Sequence, residues 1–121
     1  MTQPPKPESL LPLTAVAFEI LLTLSDGDTH GYHVMQEVER RTDGAIALHP
    51  GTLYRALARL MDEGLIAELD VKPATRDDER RRYYTLTRLG RAVLEAEAAR
   101  LENQVREARA RRLLRRQERE R

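Results

Sequence analysis

One face of a helix predicted to begin at Pro50 carries residues that suit DNA contact. The face opposite the leucines of this helix consists of Thr52, Arg55, Ala56 and Arg59. Arginine can donate paired hydrogen bonds to a guanine edge or to a phosphate, and a small residue between two arginines lets a helix approach a major groove closely. Two arginines on a helix are also typical of a solvated face. The spacing alone leaves both interpretations open, and the surrounding fold must decide between them.

Other candidate DNA contacts lie beside this face and in a later, highly charged loop. The Tyr54 hydroxyl could reach a phosphate, and a partly buried packing role is equally compatible with its position. In the loop, arginines flank the acidic residues 77–79. Such arginines can enter a narrow minor groove, although mixed charge runs are also typical of solvated loops. The loop arginines are Arg76, Arg80, Arg81 and Arg82.

Catalytic and metal-binding chemistry has no comparable support in the sequence. His30 and His33 have the spacing of metal ligands on a helix. Side chains that could complete such a site are Asp26, Asp28 and His49. The chain has no cysteine, which excludes thiolate ligands and cysteine nucleophiles, and its serines lie outside any G-x-S-x-G context. We therefore expect no enzyme, no metal site and no cofactor.

Length and composition limit the molecule to one modest domain with extensions. Of its 121 residues, 34% are charged and 4% are aromatic, so much of the chain must lie in water or against a charged partner. Its net charge of +1 hides a gradient from −4 over residues 1–48, through 0 over 49–99, to +5 over 100–121. No run reaches the roughly 18–20 apolar residues of a membrane-spanning helix, and the first residues do not resemble a signal peptide. We expect a cytoplasmic protein with no membrane partner.

Three helices are predicted before the charged loop. A high proline content and little periodicity predict a disordered arm up to Pro12. A first apolar helix follows, and Asp28 or Thr29 is expected to cap a short second helix. Pro50 begins the third helix and Gly64 ends it. The residues of the third helix that are predicted to face the core are Leu53, Leu57, Leu60 and Met61.

Two short strands and a long helix complete the predicted order. Strand-like segments at 65–71 and 83–86 predict a β-hairpin with a charged tip. After Thr87 the sequence is helical to its end. An apolar seam with alternating spacings of four and three residues suits pairing with another helix, and it fails at Arg112. The seam residues, which we expect to form a dimer contact, are Leu94, Ala98, Leu101, Val105 and Ala108.

This order of elements is that of a winged helix-turn-helix, and three segments resemble the PadR family of bacterial transcriptional regulators. They are HGYHVMQEV (30–38), PGTLYRALARLMDEGLI (50–66) and RRRYYTLTRLGRAVL (80–94). In that family a GTLY motif opens the recognition helix, an E/D-x-G-L-I segment leads into the wing, and an R-R-x-Y-x-L-T-x-x-G segment leads out of it. The resemblance covers about residues 13–94. The long last helix resembles the single dimerisation helix of the family's shorter members.

These observations predict a mainly α protein with a small β-hairpin. We expect a disordered arm (1–12), a winged helix-turn-helix domain (13–87), and a C-terminal dimerisation helix with a basic tail (88–121). Within this fold, docking geometry favours DNA contact by the third helix. The seam predicts a homodimer, whose two recognition helices would meet a roughly palindromic operator, and we expect it to act as a repressor. The resemblance implies that a small-molecule effector, which the sequence does not identify, relieves DNA binding. Two alternatives stay open: a winged-helix module for protein contact without DNA binding, and a MarR-like regulator, which has additional helices on both sides.

Overall fold

A computed structural model describes residues 5–69 and 82–115, which form a mainly helical domain with a small sheet. The helices are α1 (Ala15–Ser25), α2 (Gly31–Arg41), α3 (Pro50–Asp62) and α4 (Arg88–Ala110). The strands are β1 (Thr29–His30), β2 (Ile66–Leu69) and β3 (Tyr83–Leu86), and a 3-10 helix spans Pro7–Leu10. The predicted fold class is confirmed, including the long last helix. Within these residues no helix is long and apolar enough to cross a membrane.

The first helix begins at a side-chain cap and supplies the centre of the core. The Thr14 hydroxyl accepts a hydrogen bond from Ala17 N at 3.0 Å, which satisfies one of the free amide groups at the helix start. Ile20, Leu21 and Leu24 are buried, as their spacing predicts. Because burying each such aliphatic side chain contributes about 1.5–3 kcal/mol, this stripe fixes α1 against the rest of the domain.

The capping residue of α2 differs from the prediction. His30 caps this helix in place of Asp28 or Thr29, and its Nδ1 accepts a hydrogen bond from His33 N at 3.2 Å. Thr29 and His30 are extended because they pair with β3. The same pairing brings the His30 ring edge-on to Tyr83, with ring centroids 5.3 Å apart. The cap is therefore set by the sheet, which the local sequence does not reveal.

The third helix follows the predicted pattern closely. Pro50 occupies its first position, where a missing N–H costs nothing. Its buried residues are Leu53, Leu57 and Leu60, while Met61 is half-buried. Gly64 follows the helix with φ at 77°, a left-handed conformation that favours glycine. The opposite face of α3 is consequently directed away from the core.

The strands form one antiparallel sheet in the order β1, β3, β2. Ile66 pairs with Leu86, so the predicted hairpin is confirmed. Thr29 pairs with Tyr84 and adds a third strand that the sequence did not predict. A strand of two residues has no measurable alternation, which explains why it was missed.

The start of α4 is locked to the segment that follows α3. The Thr87 hydroxyl accepts a hydrogen bond from Gly90 N at 2.9 Å and donates one to the Gly64 carbonyl at 2.6 Å. A Cβ at Gly90 would lie 1.9 Å from the Leu65 carbonyl oxygen. Any other residue at position 90 would push two backbone segments apart. Thr87 and Gly90, which belong to the third PadR-like segment (80–94), therefore have a packing role.

The N-terminal arm is ordered between residues 5 and 12, where the sequence predicts disorder. The Pro7–Leu10 helix packs against α4, and Leu13 N donates a hydrogen bond to Glu97 Oε2 at 2.9 Å. Leu10, Leu11 and Leu13 are partly buried against the core. The high proline content led to the prediction of disorder, although the segment contains a short apolar run that packs next to α4, a helix far along the chain.

Only the first half of α4 packs on the domain. Its buried residues are Gly90, Val93, Leu94 and Glu97. The helix ends at Ala110, close to Arg112, where the apolar seam was predicted to fail and the last turns to be solvated. Arg112 has φ at 59°, and Leu113 N donates to the Ala108 carbonyl at 2.9 Å, which closes the last turn.

Candidate nucleic-acid interface

The outer face of α3 is exposed, and its small residue is not the predicted one. Thr52, Arg55 and Arg59 are exposed. Ala56 is half-buried and packs against the core, because it lies on the helix flank beside the leucines. Ala58 is exposed instead. The small residue that lies between the two arginines on the outer face is thus Ala58.

Arg55 and Arg59 form no ion pair or side-chain hydrogen bond within the residues that the structure describes. By contrast, Arg41 donates to Glu19 Oε1 at 3.0 Å and so joins α2 to α1. Other exposed arginines without a carboxylate partner in the same set are Arg88, Arg91 and Arg109 of α4. An unpaired arginine therefore does not by itself identify a DNA-facing surface. The position of α3 as second helix of the helix-turn-helix adds the missing argument, because that helix enters the major groove.

Tyr54 lies between the outer face of α3 and the start of α2. A Cβ at Gly31 would lie 3.1 Å from Tyr54 Oη and 3.0 Å from Leu53 Cδ2, so the missing side chain makes room for both. Tyr54 is nevertheless 46% exposed. Its position is compatible with both of the roles considered for it, packing and phosphate contact.

The base of the hairpin surrounds a buried tyrosine with charged groups. Burial raises the pKa of the Tyr84 hydroxyl, and the Glu68 carboxylate adds to this effect. The Arg82 side chain is 70% exposed, with its Nη1 atom 3.9 Å from Glu68 Oε1. Arg82 thus reaches solvent at the edge of the described hairpin. The other predicted loop arginines, Arg76, Arg80 and Arg81, lie outside the described residues.

Residues 20–96 match the model of the transcriptional regulator PadR-like family. The chain belongs to this family. It is 36% identical to Transcriptional regulator Rv3488 of Mycobacterium tuberculosis over 93 residues, which cover 77% of this chain and 81% of that protein. It spans only 21% of the length of a longer relative, a 37.1 kDa protein in transposon TN4556 of Streptomyces fradiae, with 38% identity over 79 residues that cover 65% of this chain. The PadR-like family is one of transcriptional regulators and not of enzymes.

Solved structures of PadR proteins have the same fold. A PadR family transcription regulator from Clostridium difficile R20291 superimposes with a TM-score of 0.68 at 25% identity, covering 80% of this chain and 97% of that one. Bacillus subtilis PadR in complex with operator DNA gives a TM-score of 0.58 at 21% identity, covering 90% of this chain and 52% of that one. The family predicted from the three motifs is thereby confirmed.

The five seam residues of the PadR-like chain do not share one environment. Leu94 is 7% exposed and belongs to the core of the domain. Leu101 and Ala108 are half-buried, whereas Ala98 and Val105 are exposed. Leu94 therefore packs within its own protomer, and the other four seam residues lie on the part of α4 that extends past the domain. The dimer contact itself stays a prediction.

The histidines that suggested a metal site have structural roles at the start of α2. His30 caps the helix, and its ring centroid lies 6.3 Å from that of His33. Over residues 5–69 and 82–115, no group of three or more histidine or carboxylate side chains is placed to hold a metal ion. The local arrangement is accounted for by capping and by ring packing.

Glu97 is a buried, ion-paired carboxylate that was not predicted from the sequence. Its side chain is 2% exposed and accepts hydrogen bonds from Arg100 Nε at 2.5 Å and from Leu13 N at 2.9 Å. The hydrogen bond from Arg100 lowers the pKa of Glu97; burial opposes the shift and the Leu13 N–H supports it. The sequence could have indicated this buried carboxylate, because Glu97 lies one turn after Leu94 on the apolar side of α4.

Proposed function

We propose that this PadR-like chain is a dimeric, sequence-specific DNA-binding repressor that acts at a roughly palindromic operator and is relieved by a small-molecule effector, as the family resemblance implies. The observation that carries the proposal is the outer face of α3. There Arg55 and Arg59 are exposed and have no carboxylate partner among the described residues, on the helix that docks into the major groove. The proposed DNA contacts are Thr52, Tyr54, Arg55, Arg59, Arg76, Arg80, Arg81 and Arg82.

What relatives bind supports this proposal. Bacillus subtilis PadR was solved in complex with operator DNA, and the Mycobacterium tuberculosis relative is a transcriptional regulator. We extend DNA binding to this chain because its α3 carries the exposed cationic groups that contact with a polyanion requires. A DNA partner also favours a location in the cytoplasm.

The proposed dimer rests on the length of α4. Residues 98–110 continue the helix for roughly 20 Å beyond its last buried residue, Glu97. A helical segment of this length is marginal alone in water, so packing against a second copy would stabilise it. The exposed or half-buried seam residues Ala98, Leu101, Val105 and Ala108 supply the apolar surface for that contact.

The test compares arginine variants of α3 with a matched pair on α4. Combined Arg55→Ala and Arg59→Ala should weaken binding to a selected DNA duplex at least tenfold, since a base contact by arginine is worth about 1–3 kcal/mol and each lost phosphate contact weakens binding further. Combined Arg106→Ala and Arg109→Ala removes the same charge from exposed positions and should change the affinity by no more than about twofold. Fluorescence anisotropy with a labelled duplex measures both.

Folding must be unchanged for this comparison to count. Exposed substitutions usually alter the free energy of unfolding by no more than about 0.5 kcal/mol, which thermal unfolding of each variant checks. If the Arg55, Arg59 double variant binds DNA like the wild type, α3 is not the DNA-contacting helix. If the wild type itself binds no duplex, a protein-contact module takes the place of the regulator.

A further inference from the structure

We infer that α3 reads a G·C pair close to an A·T pair, through Arg55 and the methyl group of Ala58, while Arg59 contacts phosphate. This inference rests on the proposed function and adds to it which residues select the operator sequence. It follows from three features of α3: the direction of each exposed residue relative to the buried leucines, the place of the Arg55 guanidinium, and the surroundings of Arg59.

The centre of the outer face is defined by the buried side of the helix. The side chains of Leu53, Leu57 and Leu60 are at most 2% exposed. Since successive residues of an α-helix turn by about 100°, the positions directly opposite are Gly51, Arg55, Ala58 and Asp62, and all four are exposed. Thr52 and Arg59 lie on one flank of this line. A helix lying in a groove presents its centre line to the base edges and its flanks to the groove walls, where the phosphates are.

The Arg55 guanidinium lies along the centre line near the start of α3. A Cβ at Gly51 would lie 3.9 Å from Arg55 Nη1, so the arginine extends back over a residue that has no side chain. Base contacts in helix-turn-helix proteins come from the N-terminal part of the recognition helix. Two parallel donors of a guanidinium match the O6 and N7 acceptors of guanine, which makes a G·C pair the expected partner of Arg55.

Arg59 has different surroundings on the flank. It borders a crevice of about 100 Å³ together with Leu10 of the arm, Leu13 just after the arm, and Glu63, which follows the last residue of α3. Its side chain therefore lies toward α1 and the arm, away from the centre line. A guanidinium in this place is suited to a phosphate at the groove wall, which carries no sequence information.

Ala58 is the exposed apolar group on the centre line after Arg55. The Arg55 guanidinium lies over Gly51, which precedes Ala58 by a helix rise of about 10 Å, and base pairs are stacked about 3.4 Å apart. The methyl group of Ala58 therefore falls about three base steps from the guanine. The apolar group that base pairs offer in the major groove is the C5 methyl of thymine, and alanine is a suitable contact for it. Asp62, at the far end of the line, would repel phosphates and ends the contact region.

The experiment begins with selection of bound sequences from a randomised duplex library. The enriched half-site should contain a G·C pair with an A·T pair about three base steps away, as the rise of about 10 Å between Gly51 and Ala58 requires. Replacing that thymidine by deoxyuridine removes only the C5 methyl, and should weaken wild-type binding about fourfold per half-site, the effect of about one buried methylene. Deoxyuridine at other positions should leave the affinity unchanged.

Two alanine variants make the thymine test specific. Ala58→Gly should bind the thymidine and deoxyuridine duplexes equally. Ala99→Gly, at an exposed position of α4, carries the same loss of helix propensity and should keep the fourfold ratio. If Ala58→Gly keeps that ratio as well, the assignment of Ala58 is wrong.

Two arginine variants test the division between base and phosphate. Arg55→Ala should abolish the preference for guanine, because no side-chain donor then reaches the O6 and N7 acceptors. Arg59→Gln should weaken binding to selected and random duplexes alike and reduce the slope of log affinity against log salt by about one. An Arg59→Gln variant that loses sequence preference would overturn the inference.

The outcomes separate this inference from the proposed function. Wild-type protein that binds selected duplexes but is indifferent to every deoxyuridine substitution would contradict base reading by Ala58 and leave the regulator intact. Wild-type protein that enriches no sequence from the library would contradict both.

Discussion

Glu97 connects the arm to the long helix through a single buried carboxylate. Its partners are the backbone N–H of Leu13 and the guanidinium of Arg100. A buried charge is tolerated only when it is paired and hydrogen-bonded, and both conditions hold here. This contact satisfies the Leu13 N–H next to the leucines of residues 10, 11 and 13, which pack on the core.

The charge of Glu97 predicts a pH-dependent effect of Glu97→Gln. The pKa of Glu97 is lowered in the folded state, so the carboxylate contributes stability above its unfolded pKa of about 4.5 and loses that contribution as pH falls through the lower folded value. At pH 7 the substitution should reduce the free energy of unfolding by about 1 kcal/mol, because it weakens a buried hydrogen bond. Chemical denaturation at pH 7 and below pH 4 measures the difference, which should shrink at the lower pH. A difference that is equal at both pH values would exclude the carboxylate as its source.

Single residues were predictable where their role follows from local spacing. Leu53, Leu57 and Leu60 are buried because a leucine every three to four residues makes one apolar stripe. The prediction that Ala56 faces outward was wrong, because Ala56 packs against the core and Ala58 is exposed instead, a difference that only the packed domain reveals. His30 became a cap through pairing with a distant strand.

At the scale of elements, the helices were predictable because each is longer than two turns and carries a 3.6-residue period. The arm and β1 were not, because neither has a period of its own. The arm is positioned by Glu97, which is 84 residues away from Leu13 in the chain. Short elements of this kind take their conformation from tertiary contacts, which override local propensity.

The second half of α4 carries the prediction about assembly. Leu101→Glu would place a desolvated charge in the proposed seam and should shift dimer toward monomer in sedimentation velocity. Val105→Glu should do the same with less effect on the fold, since Val105 is 42% exposed in the protomer. Ala99→Glu lies on the opposite face and serves as the control. A dimer that is unchanged by both seam variants would assign the contact to another surface.

Over the whole molecule, basic and acidic residues nearly balance, so the net charge is small. The net charge of +1 gives the chain little overall attraction to DNA, so the proposed binding depends on the local arginines of α3 and of the wing. The wing illustrates this prediction: replacing Arg80 and Arg81 with alanine should weaken binding to operator and random DNA alike, because phosphate and minor-groove contacts carry little base information. Fluorescence anisotropy with an operator duplex and a random duplex measures both affinities. Loss of operator binding alone would mean that the wing reads bases.

Sequence-specific DNA binding by the wild-type protein can be measured with a salt titration on two duplexes. One is the selected palindromic duplex and the other has the same composition in scrambled order, and anisotropy gives the affinity for each. We expect log affinity to fall linearly with log salt on both duplexes, because protein contacts to phosphate release counterions. We also expect the selected duplex to bind at least about 1,000-fold more tightly at physiological salt. Equal affinity for the two duplexes, or no salt-dependent affinity for either, would contradict sequence-specific DNA binding.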